Sequence, residues 1–205
     1  MIRHVLLDAD GVLQRHPVGW VEAAARFVGD RAAEFFRDLT AEERTCLRGE
    51  ADFLPLLAAQ LERYAVPVPA EEVYAEVWQR IEAVPSSVEL VHALRELGLG
   101  LHLATNQQPR RAAYMRHEMG YDDLFDESFY SCELGAMKPE PAFFLAALDR
   151  LDARAPEVVF VDDHPGNVAA ACELGLAAEQ WAIDDGRPAL ERLLSGHGLV
   201  LGRTA

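Results

Sequence analysis

Cysteine is sparse in this chain: Cys46, Cys132 and Cys172 are odd in number, widely spaced and without a C-x-x-C pair. That usage argues against a disulfide framework or a zinc-thiolate site and fits three reduced, structural thiols. Basic residues are also scarce, 19 against 34 acidic ones, for a formal net charge of −15. Such a field repels polyanions over a Debye length of about 8–10 Å, so neither nucleic acid nor an anionic membrane is expected as a partner. An anionic substrate needs cations placed locally to overcome it. Long apolar runs are missing too. None can cross a bilayer, and Met1-Ile2-Arg3-His4-Val5-Leu6-Leu7 meets Asp8 too early to be a signal-peptide core. The chain reads as cytoplasmic, and its composition is compatible with a monomer or a homodimer. It also lacks internal repeats and low-complexity tracts.

What is present suits an ordinary globular fold: 205 residues, half of them apolar, enough for one core carrying a modest second module. Val5-Leu6-Leu7 followed by Asp8-Ala9-Asp10-Gly11 has the form of a buried strand ending in a turn. From about Trp20 to Ala83 the pattern is helical, in segments 20–28, 53–61 and 73–81. Thr40 before Ala41-Glu42-Glu43 has the form of an N-cap, and Pro69-Ala70-Glu71-Glu72 that of another helix start. After Pro85 helices and strands alternate: helix 88–97, strand 99–105, helix 110–119, strand 128–131, helix 141–151, strand 158–161 and helix 167–174. This alternation predicts an α/β fold, a Rossmann-like parallel sheet with helices on both faces. The catalytic core would comprise residues 1–14 and 87–205, with an all-helical insert at 15–86.

Ligands of an open parallel sheet bind beyond the carboxyl ends of its strands. The first strand delivers Asp8 and Asp10, then Gly11, which lets the backbone approach a ligand. The second delivers Thr105 and Asn106, the third leads to Lys138, and the fourth delivers Asp162 and Asp163, with Asn167 opening the next helix. Each alone has an ordinary explanation as a turn, a helix cap or a solvated lysine. Together they form a reaction site. Four carboxylates at one edge repel unless a cation sits between them, and oxygen donors without histidine or thiol suit magnesium. Asp8 then serves as nucleophile on phosphorus and Asp10 as proton donor to the leaving oxygen, while Thr105 and Lys138 hold the other oxygens.

Asp8-Ala9-Asp10-Gly11-Val12-Leu13, Thr105-Asn106, Lys138-Pro139 and Val161-Asp162-Asp163-His164-Pro165-Gly166-Asn167 resemble, in order and spacing, the four motifs of the haloacid dehalogenase-like (HAD) hydrolases. The insert is similar to that superfamily's helical cap. The resemblance implies a magnesium-dependent phosphatase acting on a small phosphorylated metabolite, such as a sugar phosphate, through a phosphoaspartate on Asp8. It implies that Asp10 is the acid/base and a magnesium ligand through its backbone carbonyl. It also implies that Thr105, Asn106 and Lys138 bind phosphate, and that Asp162 and Asp163 complete the metal site, with Asp163 the direct ligand. Leu47-Arg48-Gly49-Glu50, Ala104-Thr105-Asn106 and Phe129-Tyr130-Ser131 are most similar to the branch of glucose-1-phosphate phosphatases and the N-terminal phosphatase domain of soluble epoxide hydrolases.

Three other readings compete. A 2-haloacid dehalogenase uses the same nucleophile on carbon but has no need of Asp10, since a halide leaves without a proton. A phosphosugar mutase shares the motifs, but Gln14-Arg15-His16-Pro17 departs from the mutase pattern after the first of them. A non-catalytic binding module would be expected to have lost Asp8, Asp10 or Lys138. Within the insert, Trp20, Arg44, Arg48, Tyr64, Tyr74 and Trp78 are candidates to face the cleft, although aromatics at helical spacing usually fill cores. Arg15 and His16, beside the hinge, are expected to have the better chance of reaching the substrate.

Overall fold

The run Val5-Leu6-Leu7 is apolar throughout because it is buried on both faces. In the computed structural model, which describes residues 1–201, it forms β1 (His4–Leu7) at the centre of a five-stranded sheet. The other elements of the first part of the chain are β2 (Gln14–Arg15), α1 (Trp20–Val28), α2 (Ala32–Glu42), α3 (Arg44–Leu47), α4 (Phe53–Arg63), α5 (Ala70–Tyr74) and β3 (Glu82–Ala83). There follow α6 (Pro85–Glu96), β4 (Gly100–Thr105), α7 (Pro109–His117), α8 (Tyr121–Leu124), β5 (Glu127–Tyr130) and α9 (Ser131–Leu134). The chain continues through α10 (Pro141–Arg150), β6 (Val158–Asp162), α11 (Pro165–Glu173), β7 (Ala177–Gln180) and α12 (Arg187–Gly196). Residues 202–205 of the predicted core span lie outside the described residues.

The sheet runs β5-β4-β1-β6-β7 with every pair parallel. The chain works outward from β1 on one side through β4 and β5, then crosses to the other side for β6 and β7. This reversal opens a crevice at the carboxyl ends of β1, β4 and β6, where Asp8, Thr105 and Asp162 lie. Period-two alternation divides the core. Val5, Leu7, Leu103 and Val161 pack under α6 and α12 through Leu90, Leu94, Leu190 and Leu194. Leu6, Ala104, Phe129 and Phe160 face the opposite layer, against Phe143 and Phe144 of α10 and Ala171 of α11.

The helical insert has a hydrophobic core of its own, built from buried residues between Ala23 and Trp78, including Phe35, Phe53, Leu57 and Tyr74. Its two ends are held together by the antiparallel pair β2 and β3, with Gln14 opposite Ala83 and Arg15 opposite Glu82. Two features of the insert differ from expectation. Thr40 does not cap a helix: it lies inside α2, which runs on to Glu42 because Ala32, Phe35 and Leu39 keep burying one face. The expected helix over 73–81 is α5 continued by a π-helical turn, Ala75–Gln79, in which both Val77 and Trp78 are buried. Strand β7 was not predicted, since Ala-Ala-Glu-Gln carries no β-branched or aromatic residue.

Candidate active site

At the end of β1 the backbone N–H of Asp8 still donates to Val161 across the sheet, at 3.0 Å, which fixes the residue at the crevice mouth. Lys138 is almost wholly buried beside it. Its Nζ reaches Asp8 Oδ1 at 2.7 Å, Asp162 Oδ2 at 2.6 Å and the Ala104 carbonyl at 2.7 Å. Burial pulls the lysine's pKa down, but Asp8 and Asp162 more than reverse this, and the group stays protonated. Burial pushes the Asp8 carboxyl up to about 7, against the pull of Lys138.

The two adjacent aspartates after β6 are not equivalent. Asp162 is fully buried and both its oxygens are engaged, by Lys138, by the Asn167 amide at 3.0 Å and by the His164 N–H at 2.8 Å. Asp163 is exposed and lies over Gly11. Asp8, Asp162 and Asp163 each offer a carboxylate oxygen within 4.8 Å of the others. Three carboxylates against the single ammonium leave two negative charges, the complement of one divalent cation. An all-oxygen donor set suits magnesium.

Gly11 has φ +80°, and a Cβ there would lie 2.5 Å from Asp163 Oδ2. Gly11→Ala is therefore expected to cost about 1–2 kcal/mol through the left-handed backbone alone. It should also weaken magnesium binding by displacing Asp163, which urea midpoints and magnesium titration of the variant would measure.

Thr105 is buried, its hydroxyl accepting from Gln107 Nε2 at 3.1 Å. The Asn106 side chain is committed at both ends to the Lys138 backbone, each bond 2.8 Å, so in this geometry it positions the lysine. Asp10 carries a set of partners that the sequence did not reveal. Arg111 of α7 grips it with two bonds of 2.5 and 2.8 Å, while Gln14 Nε2 and Gln107 Nε2 donate at 2.8 and 3.0 Å. Burial raises the Asp10 pKa, but the guanidinium and the two amides outweigh it and hold the carboxyl below the usual carboxylate range. Arg111 is itself anchored to the insert, through Nε to the Trp78 carbonyl at 2.8 Å and by stacking on Trp20 at 4.6 Å. One signal for this clamp was present in the sequence: Gln107 and Arg111 are four residues apart, just past the end of β4.

These residues surround a cavity of about 510 Å³ between the sheet edge and the insert. The insert contributes Trp20, Phe36, Thr40, Glu43, Leu47 and Trp78. Of the residues expected from the sequence, Asp8, Asp10, Gly11, Thr105, Asn106, Lys138, Asp163 and Asn167 line it, and Asp162 supports them from below. Arg15 and His16 do not. Arg15 points outward, 3.9 Å from Asp184, and His16 is buried under Trp20 with Nε2 3.0 Å from the Glu76 carbonyl. Tyr64 bonds Asp38, Tyr74 bonds Gln108, and Arg44 and Arg48 both pair with Glu140.

A buried lysine bridging two strand-end carboxylates at the switch point of a parallel sheet, roofed by an inserted helical layer, defines a hydrolase-type α/β site. The sequence profile of the haloacid dehalogenase-like hydrolases matches residues 2–175, and the chain belongs to that family. The phosphorylated carbohydrates phosphatase of Thermotoga maritima is 26% identical over 198 residues, covering 91% of this chain and 89% of that protein. A sesquiterpene phosphatase of Aspergillus oryzae is 33% identical over 115 residues, 54% of this chain, which spans only 58% of the relative's length. A HAD family enzyme of Bacteroides thetaiotaomicron, solved in complex with magnesium and inorganic phosphate, superposes with a TM-score of 0.75. It is 20% identical, covering 92% of this chain and 99% of the other. Among the described residues, no helix is long and apolar enough to cross a membrane.

Proposed function

We propose that the chain is a magnesium-dependent phosphatase that hydrolyses a small phosphorylated metabolite through a phosphoaspartate on Asp8, with the insert acting as its cap. The observation that carries this reading is the Lys138 ammonium wedged between Asp8 and Asp162, beside an open Asp163. Asp8, Asp163 and the Asp10 backbone carbonyl would hold the magnesium, which when bound supplies the charge that lets an anionic ester approach an anionic nucleophile. Asp8 attacks phosphorus, the ester P–O bond breaks, and the departing oxygen takes a proton from Asp10. A water then attacks the same phosphorus, giving its proton to Asp10 and restoring Asp8 as phosphate leaves. Lys138 and Thr105 balance charge on the non-bridging oxygens, with Asn106 and Asp162 fixing the lysine. The phosphate end of the site is indifferent to what lies beyond the ester oxygen, so a sugar phosphate meets its demands there, and the choice of alcohol falls to the rest of the cavity. The likeness to relatives named as phosphatases supports the reading.

The first proton transfer requires a protonated Asp10, and the Arg111 clamp opposes that. Because Arg111 is tethered to the insert by Trp78 and Trp20, a shift of the insert on substrate binding would loosen its grip on Asp10. An Asp10 held ionised is also the one observation favouring a substitution that needs no proton, as on a 2-haloacid.

Purified protein assayed with aryl and alkyl phosphates should turn over only with a divalent cation. Magnesium should work well and calcium poorly, since the looser calcium shell places nucleophile and phosphorus less accurately. Full activity after exhaustive chelation would remove the metal from the scheme. Halide release from a 2-haloacid without phosphate release from any ester would replace phosphatase by dehalogenase.

A further inference from the structure

We infer that the leaving group is a flat, largely apolar alcohol carrying one hydrogen-bond donor, held between the insert's aromatic rings with its donor on Glu43, and not a polyhydroxylated sugar. The inference rests on the phosphatase reading of the same cavity and concerns the end remote from phosphate. There the walls are Trp20, Phe36, Trp78, Leu47 and Met137, with Phe36 and Trp78 in contact at 5.8 Å between ring centroids. The polar side chains among them are mostly spent within the protein. Arg111 is divided between Asp10, the Trp78 carbonyl and the Gln107 amide oxygen, while the Gln107 nitrogen serves Asp10 and Thr105. The Gln108 amide oxygen accepts from the Tyr74 hydroxyl at 2.9 Å.

Glu43 is the charged group that the insert adds to this wall, and no ion pair holds it among the described residues. It lines the cavity at the junction of α2 and α3, and its neighbours Arg44 and Arg48 turn away to Glu140. The positive charge it feels is that of Arg111, already committed to Asp10, with a smaller pull from the Thr40 hydroxyl one turn back on α2. Burial pushes its carboxyl up to about 7, the behaviour of an acceptor withdrawn from water without a cation of its own. A sugar placed here would bring several hydroxyls against aromatic faces, stripped of water and mostly unpartnered. An alcohol with an apolar body instead gains ring contact, and a single amine or hydroxyl completes Glu43.

The test compares benzyl phosphate, aminomethylbenzyl phosphate and a hexose phosphate on wild type and on Glu43→Gln. With magnesium, kcat/KM should rank aminomethylbenzyl above benzyl and both above the hexose ester, the aromatic esters leading the sugar by about 10². Glu43→Gln should bring the two aromatic esters to within about twofold of each other, because the neutral amide no longer favours the amine. A hexose ester turned over as well as the aromatic ones, or an unchanged ratio between the aromatic esters in Glu43→Gln, would overturn the inference and leave the phosphatase reading standing. Binding of the same esters to Asp8→Asn, followed through quenching of Trp20 and Trp78 fluorescence, supplies the reverse case. The same ranking in binding without wild-type turnover of any ester would keep the cavity's preference for a flat apolar body with a donor on Glu43 but remove the phosphatase, and with it the leaving-group assignment.

Discussion

Asp8→Asn should abolish turnover of every phosphate ester, whatever its leaving group, because the amide cannot form the acyl phosphate. The loss should not come from unfolding. Asp8 is the buried carboxyl pushed up to about 7, so a neutral amide of the same shape removes a charge that burial already disfavours. The Asp8→Asn protein should therefore melt at or above the wild-type temperature while remaining inactive. Asp10→Asn should behave differently. Alkyl phosphates, whose alkoxide needs a proton to leave, should suffer most, while an aryl phosphate with a stable phenolate should still phosphorylate Asp8. With no base to activate water, the phosphoaspartate should accumulate, and intact mass after a rapid quench would detect it. Equal damage to aryl and alkyl esters without a trapped intermediate would count against Asp10 as carrier of both protons.

Lys138→Met is the second change expected to have a large effect, and here stability and catalysis fall together. The ammonium is within 2.7 Å of Asp8 and 2.6 Å of Asp162, and Asp162 is fully enclosed. Removing it leaves buried carboxylate charge without its partner, a cost on the order of 3–5 kcal/mol unless a proton is taken up. Turnover should fall by about 10²–10⁴, or roughly 3–5 kcal/mol of transition-state stabilisation, through loss of charge opposite the phosphoryl oxygens. Denaturant curves and kcat measured at a temperature where the variant remains folded would separate the two losses. A variant with near-normal stability and rate would mean that the ammonium does neither job.

The strand ends were legible because a buried parallel strand is written as an apolar run and the first polar residue after it marks the crevice. Asp8, Thr105 and Asp162 could be located in this way. Which of two adjacent aspartates was open did not follow from the residues themselves: the family resemblance favoured Asp163, and the physical reason appears only with Asn167, His164 and Lys138 occupying Asp162. Arg15 and His16 were expected at the substrate because they adjoin the hinge. In β2 alternate side chains face opposite ways, so Gln14 points inward to Asp10 and Arg15 outward, while His16 is covered by α1. The grip of Arg111 on Asp10 joins residues 101 apart in sequence; the four-residue spacing of Gln107 and Arg111 brings those two side chains together, but nothing in that spacing points to Asp10. Glu43 was hidden for a related reason: the expected helix start at Thr40 placed it in an acidic first turn, where solvated glutamates are common.

The stem of the insert also bears on how such proteins diversify. Gln14 and Ala83 are paired neighbours, and between them the chain leaves the core and returns through a ladder only two residues long on each side. None of the backbone pairings of the five-stranded sheet involves the intervening residues. A segment of different length or architecture spliced between those two positions would leave the strand-end carboxylates and the lysine where they are. The strand-end groups and the insert's share of the cavity wall thus lie on separate stretches of chain, coupled where Arg111 of the core bonds the Trp78 carbonyl and stacks on Trp20, so an exchanged segment would also reset the clamp on Asp10.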